Sequence, residues 1–196
     1  NNFGLLEFDG SAWRIYPVKN GTKVRSVHIG SDETIYAGSQ ADFGYFLPDP
    51  RGSLRYHSLA DSLPKQFRNF DEVWRIYEWK HHIWFLTQKN IYIYAPGTGV
   101  NVITSPNPLE FAFFLNNQLY VLAWGAGLSS ISNDSISLVE GGDFFAHRQI
   151  ASILPFDKSR FIIFTIHDGV YLYDGQQVLP FELENVPALE EFIINQ

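Results

Sequence analysis

The sequence predicts an all-β protein built from repeated four-stranded units. Short apolar and aromatic runs alternate with segments rich in Gly, Pro, Asp and Ser, which is the pattern of strands and turns. Residues 24–56 hold four such runs, V-R-S-V-H-I, T-I-Y-A-G-S, G-Y-F-L-P-D and L-R-Y-H-S-L. Aromatic residues make up 16% of the chain and fall on these runs, because large flat rings fill the gaps between twisted sheets. One small sheet cannot bury a face alone, so further copies are expected.

The four-run unit recurs along the chain. The opening of the third strand in each unit is assigned to Gly44, Asn90, Gly127 and Gly169, and Gly4 marks an earlier copy. Their successive spacings are 40, 46, 37 and 42 residues. Four strands repeated about every forty residues indicate the blades of a β-propeller.

Taken in order, the elements predict one domain over residues 1–196, a β-propeller segment with four four-stranded blades and two half-blades. The first half-blade turns at Asp9-Gly10, a dipeptide that accepts the positive φ of a hairpin. Residues 60–72 are the longest break in the pattern, and S-L-P-K-Q-F within them predicts one helical turn. The predicted blades cover residues 1–16 (half), 24–59, 73–104, 110–140, 150–181 and 188–196 (half).

The two half-blades have two explanations. They join into one blade and close a ring of five, or the chain is a slice of a longer propeller that is cut within a blade at each end. Residue 1 carries neither an initiator Met nor a signal sequence, which favours the slice. An open slice exposes apolar faces and unpaired strand edges, and these invite association.

Composition excludes several classes of function. The net charge of −7 gives no general attraction to nucleic acid or to an anionic membrane surface. No apolar run is long enough to predict a membrane span in this segment. The absence of cysteine excludes disulfides, thiolate metal sites and a cysteine nucleophile.

Four stretches carry a resemblance to a known family. They are G-L-L-E-F-D-G-S-A-W at 4–13, V-R-S-V at 24–27, I-Y-A-G-S-Q-A-D-F-G-Y-F at 35–46 and V-W-R-I-Y at 73–77. The chain resembles the two-component-regulator propeller repeat, the periplasmic sensor propeller of Bacteroidetes-type hybrid two-component and triple-tyrosine regulators. The resemblance covers nearly the whole chain. It departs from the pattern in blades three and four, which lack an aspartate–glycine turn followed by Leu-Trp-Ile-Gly-Thr.

The resemblance implies a periplasmic, ligand-sensing propeller of a signal-transduction regulator, either a two-component sensor or a membrane-linked transcriptional regulator. Such a propeller is non-catalytic itself and needs no cofactor. A β-sandwich, a membrane helix and a cytoplasmic output module follow in that family. A histidine kinase or a DNA-binding domain would therefore lie outside this segment.

Catalytic and metal-binding patterns are weak in this sequence. His81 and His82 are adjacent on a strand-like run, so they point to opposite faces and cannot chelate one ion together. A five-bladed glycoside hydrolase is the main enzyme alternative, and it needs two carboxylates near the central channel. The predicted innermost strands hold none, and only Glu72 and Glu110 lie at their starts. We therefore expect no catalytic and no metal-binding residues.

The candidate ligand-binding surface is one face of the propeller. Loops that join strand two to strand three lie on the same face as the entries to the following blades. Aromatic rings stack on sugars while amides and carboxylates bind hydroxyls, so this face suits a glycan or another small solute. An alternative interpretation gives the same residues a purely structural role, in packing between blades and in forming turns. The candidates are Gln40, Asp42, Trp74, Arg75, Gln88, Trp124, His167 and Asp168.

A different class of function is scaffolding. Propeller faces bind proteins, and a sensor can signal through homodimer contacts between propellers. Ligand binding predicts thermal stabilisation by a solute, whereas scaffolding predicts a mass that depends on concentration.

Overall fold

The computed structural model describes residues 4–132 and 135–182, and this part of the chain is all-β. Its helices are four short 3-10 turns. The first sheet, sheet N, is a two-stranded hairpin, and four four-stranded antiparallel sheets follow it. The predicted strand at residues 188–196 lies outside the described residues.

Each sheet is a meander in which consecutive strands pair. Sheet N contains β1 (Leu5–Phe8) and β2 (Trp13–Tyr16). Sheet I contains β3 (Val24–Ile29), β4 (Ile35–Ser39), β5 (Asp42–Pro48) and β6 (Leu54–Ser58). Sheet II contains β7 (Arg75–Trp79), β8 (His82–Leu86), β9 (Asn90–Ala95) and β10 (Gly99–Thr104). Sheet III contains β11 (Leu109–Leu115), β12 (Gln118–Ala123), β13 (Gly127–Ser132) and β14 (Ser135–Leu138). Sheet IV contains β15 (Ile150–Pro155), β16 (Phe161–Thr165), β17 (Val170–Tyr173) and β18 (Val178–Pro180).

The chain divides into two compact units between Pro106 and Asn107. The first unit holds sheets N, I and II. Sheets I and II pack through aromatic rings, and the centroid of Phe43 lies 4.6 Å from that of Phe85 and 4.8 Å from that of Tyr92. The second unit holds sheets III and IV, whose shared core contains Leu122, Leu128, Phe145, Ile150, Ile153, Phe161, Ile163 and Tyr173.

The first strands of sheets I and II lie side by side. The Ser26 hydroxyl donates to the Val73 carbonyl oxygen at 2.7 Å, and Arg25 forms an ion pair with Glu72. Both contacts join residues 47 positions apart. The same sequence separation at both contacts is expected when similar sheets repeat along the chain and their first strands pack side by side.

The turn between the second and third strands corrects one sequence assignment. Strand β5 begins at Asp42, which pairs with Ser39, and Ala41 makes the turn with a φ of 57°. Gly44 therefore lies inside β5 and does not open it. It is a glycine for a different reason, since a Cβ there would lie 2.0 Å from the His57 carbonyl oxygen.

A side-chain hydroxyl fixes this turn in three of the four-stranded sheets. A residue that ends the second strand, or directly follows it, donates its hydroxyl to the backbone carbonyl of a residue that opens the third strand or directly precedes it. Sheet III has Ala123 at this position and no hydroxyl. The three pairs are Ser39 to Asp42 at 2.9 Å, Thr87 to Asn90 at 2.8 Å and Thr165 to Gly169 at 2.7 Å.

The long connection between sheets I and II contains two 3-10 turns, Ala60–Ser62 and Lys65–Phe67. The second includes part of the predicted helical turn. The Tyr92 hydroxyl donates to the Phe67 carbonyl at 2.7 Å, which anchors the connection on sheet II.

Candidate functional site

In the first unit, the predicted residues lie at one edge of sheets I and II. Gln40 is exposed and forms an isolated bridge with Glu72, so the turn of sheet I touches the entry to sheet II. Trp74 is half-buried, and its backbone N–H donates to the carbonyl oxygen of Leu86 at 3.1 Å. Exposed Arg75 opens β7, and exposed Gln88 lies in the turn between β8 and β9.

In the second unit, Trp124 is half-buried just after β12. Its ring meets that of His147 edge to face, with centroids 5.6 Å apart, so the ring is engaged in a contact with another side chain. His167 and Asp168 are exposed in the turn between β16 and β17. The Asp168 backbone N–H donates to the Thr165 hydroxyl at 3.0 Å, which fixes the backbone of this turn.

Asp42 differs from the other candidates because it is only 2% exposed. Its Oδ1 accepts a hydrogen bond from the Ser58 hydroxyl at 2.6 Å, and the buried carboxyl also interacts with the Tyr56 hydroxyl. Burial raises the pKa of the Asp42 carboxyl. Burial also raises the pKa of Tyr56, and the Asp42 charge adds to that effect. The Tyr56 hydroxyl is likewise buried, and it interacts with the Asp42 carboxyl.

A cavity of about 420 Å³ adjoins this polar cluster. Tyr56 and Ser58 line it from β6, and Lys19 and Asp61 form an ion pair at its wall. These four residues were not selected from the sequence. Tyr56 and Ser58 lie in the run L-R-Y-H-S, which was assigned only a structural role as a strand, and Lys19 and Asp61 lie outside that run. The period of two along a strand would have placed Tyr56 and Ser58 on one face. We define the Asp42 cluster as Asp42, Tyr56, Ser58, Lys19 and Asp61.

The structure corrects the expectation that the innermost strands hold no carboxylate. Strand β7 contains Glu78 and β11 contains Glu110. Glu78 accepts hydrogen bonds from the backbone N–H and the hydroxyl of Ser31, and its carboxylate lies 3.7 Å from the His28 ring nitrogen. The Ser31 bonds lower the pKa of the Glu78 carboxyl. Glu78 thus links sheet I to sheet II as an ionised acceptor.

Histidine placement also differs from the sequence prediction. His81 lies in the hairpin turn with a φ of 60°, and only His82 belongs to β8. The two residues are therefore not consecutive strand positions. Among residues 4–132 and 135–182, no group of three or more His, Cys, Asp or Glu residues is arranged to hold a metal ion.

No protein-family model matches the chain, and no curated protein matches it significantly. Solved structures do match. One is the WD40 β-propeller domain of Doa1, with a TM-score of 0.58, 15% identity and coverage of 89% of this chain and 59% of that one. Another is virginiamycin B lyase from Staphylococcus aureus, with a TM-score of 0.59, 14% identity and coverage of 87% and 59%.

A third similar structure is the extracellular domain of a proposed one-component system from B. thetaiotaomicron. It has a TM-score of 0.60 and 18% identity, and the match covers 92% of this chain but 25% of that chain. These likenesses show the fold, a β-propeller arrangement of antiparallel sheets. The chain spans less than two thirds of the length of each of these three structures. The described residues contain no helix that is long and apolar enough to cross a membrane.

Proposed function

We propose that this chain is part of the extracytoplasmic, ligand-sensing propeller of a signal-transduction regulator. The four-stranded sheets are its blades, sheet N is a half-blade, and the segment is non-catalytic. A periplasmic location and a kinase or DNA-binding output elsewhere in the protein complete the proposal. The likeness to an extracellular domain of a one-component system, over 92% of the chain, supports the sensor class.

The observation that carries ligand binding is the Asp42 cluster beside its cavity. Burial of the Asp42 carboxylate costs folding free energy even with the Ser58 and Tyr56 hydroxyls beside it, and buried carboxylates with shifted pKa values are concentrated at functional sites. The two charges of Lys19 and Asp61 already pair with each other. The Ser58 oxygen can still accept a hydrogen bond while it donates to Asp42, so a small hydroxylated solute such as a glycan unit suits this wall.

The non-catalytic part of the proposal rests on how the carboxylates are used. Asp42 accepts from Ser58 and is buried, while Glu78 is occupied by Ser31. Glycoside hydrolysis needs two carboxyl groups that flank one substrate bond and that both reach it. Neither Asp42 nor Glu78 has this freedom, although the lyase among the similar folds shows that propellers also support catalysis.

The test is thermal unfolding with a panel of monosaccharides and disaccharides. A solute that binds only the native state and is present at a concentration of about 100 times its Kd raises the free energy of unfolding by about 2.7 kcal/mol. We expect Ser58→Ala to weaken the response at the Asp42 cluster. We expect Trp124→Ala and His167→Ala to weaken it if the ligand contacts the predicted turns. A response that none of these variants changes would contradict the proposed sites.

A scaffold function is the second candidate, because sheet N presents an apolar face. Leu6, Phe8, Trp13 and Ile15 are 42%, 52%, 63% and 55% exposed, and cross-strand pairing joins Leu6 to Ile15 and Phe8 to Trp13. The Phe8 and Trp13 rings stack with centroids 4.6 Å apart. Contiguous exposed apolar groups mark interaction surfaces. Homodimer formation through propeller contacts predicts a mass that rises with concentration and that Trp13→Ser reduces.

A further inference from the structure

A second cavity, of about 370 Å³, lies between sheets III and IV within the second unit. Three strand-joining turns contribute to its wall through Asn116, Ser159 and Gly175. These turns join first strands to second strands, or third to fourth. Because Trp124 and His167 follow the other ends of β12 and β16, the cavity lies at the opposite end of these strands from the predicted face.

The apolar part of this cavity is rigid. Phe161 is 5% exposed and Tyr173 is 2% exposed, and both belong to the shared core of sheets III and IV. Tyr120 meets Phe161 edge to face at a centroid distance of 5.6 Å. The Tyr173 hydroxyl donates to the Glu140 carbonyl at 2.8 Å, which fixes that ring. A preformed aromatic wall lowers the entropic cost of binding a ring-shaped ligand.

The polar part of the cavity offers hydrogen-bonding groups that the fold does not use. Both hydrogen bonds of the Gln118 Nε2 go to backbone carbonyls, those of Leu119 and Ile131, which leaves Oε1 as an acceptor. The side-chain hydroxyls of Tyr120 and Ser130 line the same wall and have no partner among the described residues. One amide acceptor and two hydroxyls therefore converge on one space of small-molecule size.

The charged groups at this cavity are either exposed to water or engaged within their own turns. Lys158 is the one charged residue in the described lining. Next to it, Asp157 pairs with Arg160 at 2.6 Å. Asp174 accepts hydrogen bonds from two backbone N–H groups of its own turn, which lowers the pKa of its carboxyl. Lys158 is exposed, so water screens its charge, and the neighbouring carboxylates are already occupied. The wall therefore gives a charged ligand no desolvated partner and favours a neutral ligand.

We propose that the cavity between sheets III and IV binds a neutral, hydroxyl-rich ring of about one hexose, held by Tyr120, Ser130 and Gln118 against the Phe161 wall. Hydroxyl groups of such a ligand both donate and accept, which matches one amide oxygen and two hydroxyls. Its apolar ring face matches the aromatic wall. This site needs none of the turn residues or the Asp42 cluster on which the proposed function rests.

The experiment is thermal unfolding of the chain with D-glucose, D-galactose or N-acetyl-D-glucosamine, and with D-glucuronate as the charged counterpart. We expect at least one neutral sugar to raise the Tm and glucuronate to bind no more tightly. Tyr120→Phe and Ser130→Ala each remove one hydroxyl without changing the packing, and each should weaken binding about fivefold to tenfold. The matched control is Tyr171→Phe, which removes a hydroxyl that donates to the Asp168 carbonyl. It should leave the sugar response unchanged.

Three results would overturn the proposal. They are no stabilisation by any of the three neutral sugars, unchanged binding in both Tyr120→Phe and Ser130→Ala, or tighter binding of glucuronate than of the neutral sugars. Loss of the response in Trp124→Ala and His167→Ala, with Tyr120→Phe unaffected, would place the sugar at the predicted face. That result would support the proposed function and reject this cavity as the site.

Discussion

The hydroxyl of Thr87 gives the sharpest test of how the turns are built. Its Oγ1 donates to the Asn90 carbonyl at 2.8 Å and accepts from the Asn90 backbone N–H at 3.0 Å, at a side chain that is 1% exposed. Thr87→Val keeps the branched shape and removes both bonds. The buried N–H of Asn90 then loses this partner, and a buried donor left unsatisfied costs about 1–3 kcal/mol. We expect a loss of about 2 kcal/mol in the free energy of unfolding.

The control is the same substitution in the same sheet at an exposed position. Thr98 donates its hydroxyl to the Ala95 carbonyl at 3.1 Å, and that carbonyl also accepts from the Thr98 backbone N–H. Thr98→Val should therefore cost less than about 0.5 kcal/mol. Urea unfolding followed by tryptophan fluorescence measures both, because Trp79 and Trp84 are buried in sheet II. Equal losses for the two variants would show that the buried hydroxyl does not hold the turn.

Three further predictions follow from other groups. Asp42→Asn should raise the free energy of unfolding at pH 7 because burial raises the pKa of the wild-type carboxyl, and the gain should vanish in urea titrations below the unfolded value of 3.8. Asp174→Asn should flatten the loss of stability on acidification. The pKa of Asp174 is lowered by backbone N–H bonds, so its contribution is present above 3.8 and is lost as pH falls further. Gly44→Ala should cost more than about 3 kcal/mol or prevent folding, measured by circular dichroism, since its Cβ would overlap the His57 carbonyl oxygen.

For each of these three predictions, one outcome would contradict the reasoning. A pH-independent gain in Asp42→Asn would show that packing, not ionisation, sets its effect. If Asp174→Asn loses stability on acidification as steeply as the wild type does, ionisation of the Asp174 carboxyl does not contribute to stability. Wild-type stability in Gly44→Ala would mean that β5 and β6 separate more easily than their pairing indicates.

Strand identity was predictable from the sequence because it depends on local alternation and on turn residues. The runs at residues 24–56 became β3 to β6, and the Asp9-Gly10 signal lies in a hairpin turn where Gly10 has a φ of 93°. Turn geometry was harder. Lys80 and His81 both adopt positive φ without a glycine or an Asn-Gly or Asp-Gly dipeptide, so the strong hairpin signals are missing there.

The candidate sites were less predictable, because they depend on contacts between distant residues. Asp42 was selected as a ligand-binding residue in a loop, but it opens β5 and is buried against Ser58. Lys19 and Asp61 are 42 residues apart, and only the folded chain pairs them. The cavity between sheets III and IV combines residues that individually look like ordinary strand and turn positions. Pattern alone does not show which neighbouring sheets leave space between them.

In the hydroxyl-fixed turns, the residues that set the backbone conformation are different from the residues whose side chains lie at the tip of the turn. In sheets I, II and IV the backbone path is set by Ser39, Thr87 and Thr165, each of which ends the second strand or directly follows it. The side chains at the tips, Gln40, Gln88, His167 and Asp168, form no hydrogen bond with another described residue. Chemical diversity at these tips is therefore nearly free of folding cost, so a library randomised at the four positions should retain folded members at high frequency. The same separation would let related chains change what they recognise while keeping one scaffold.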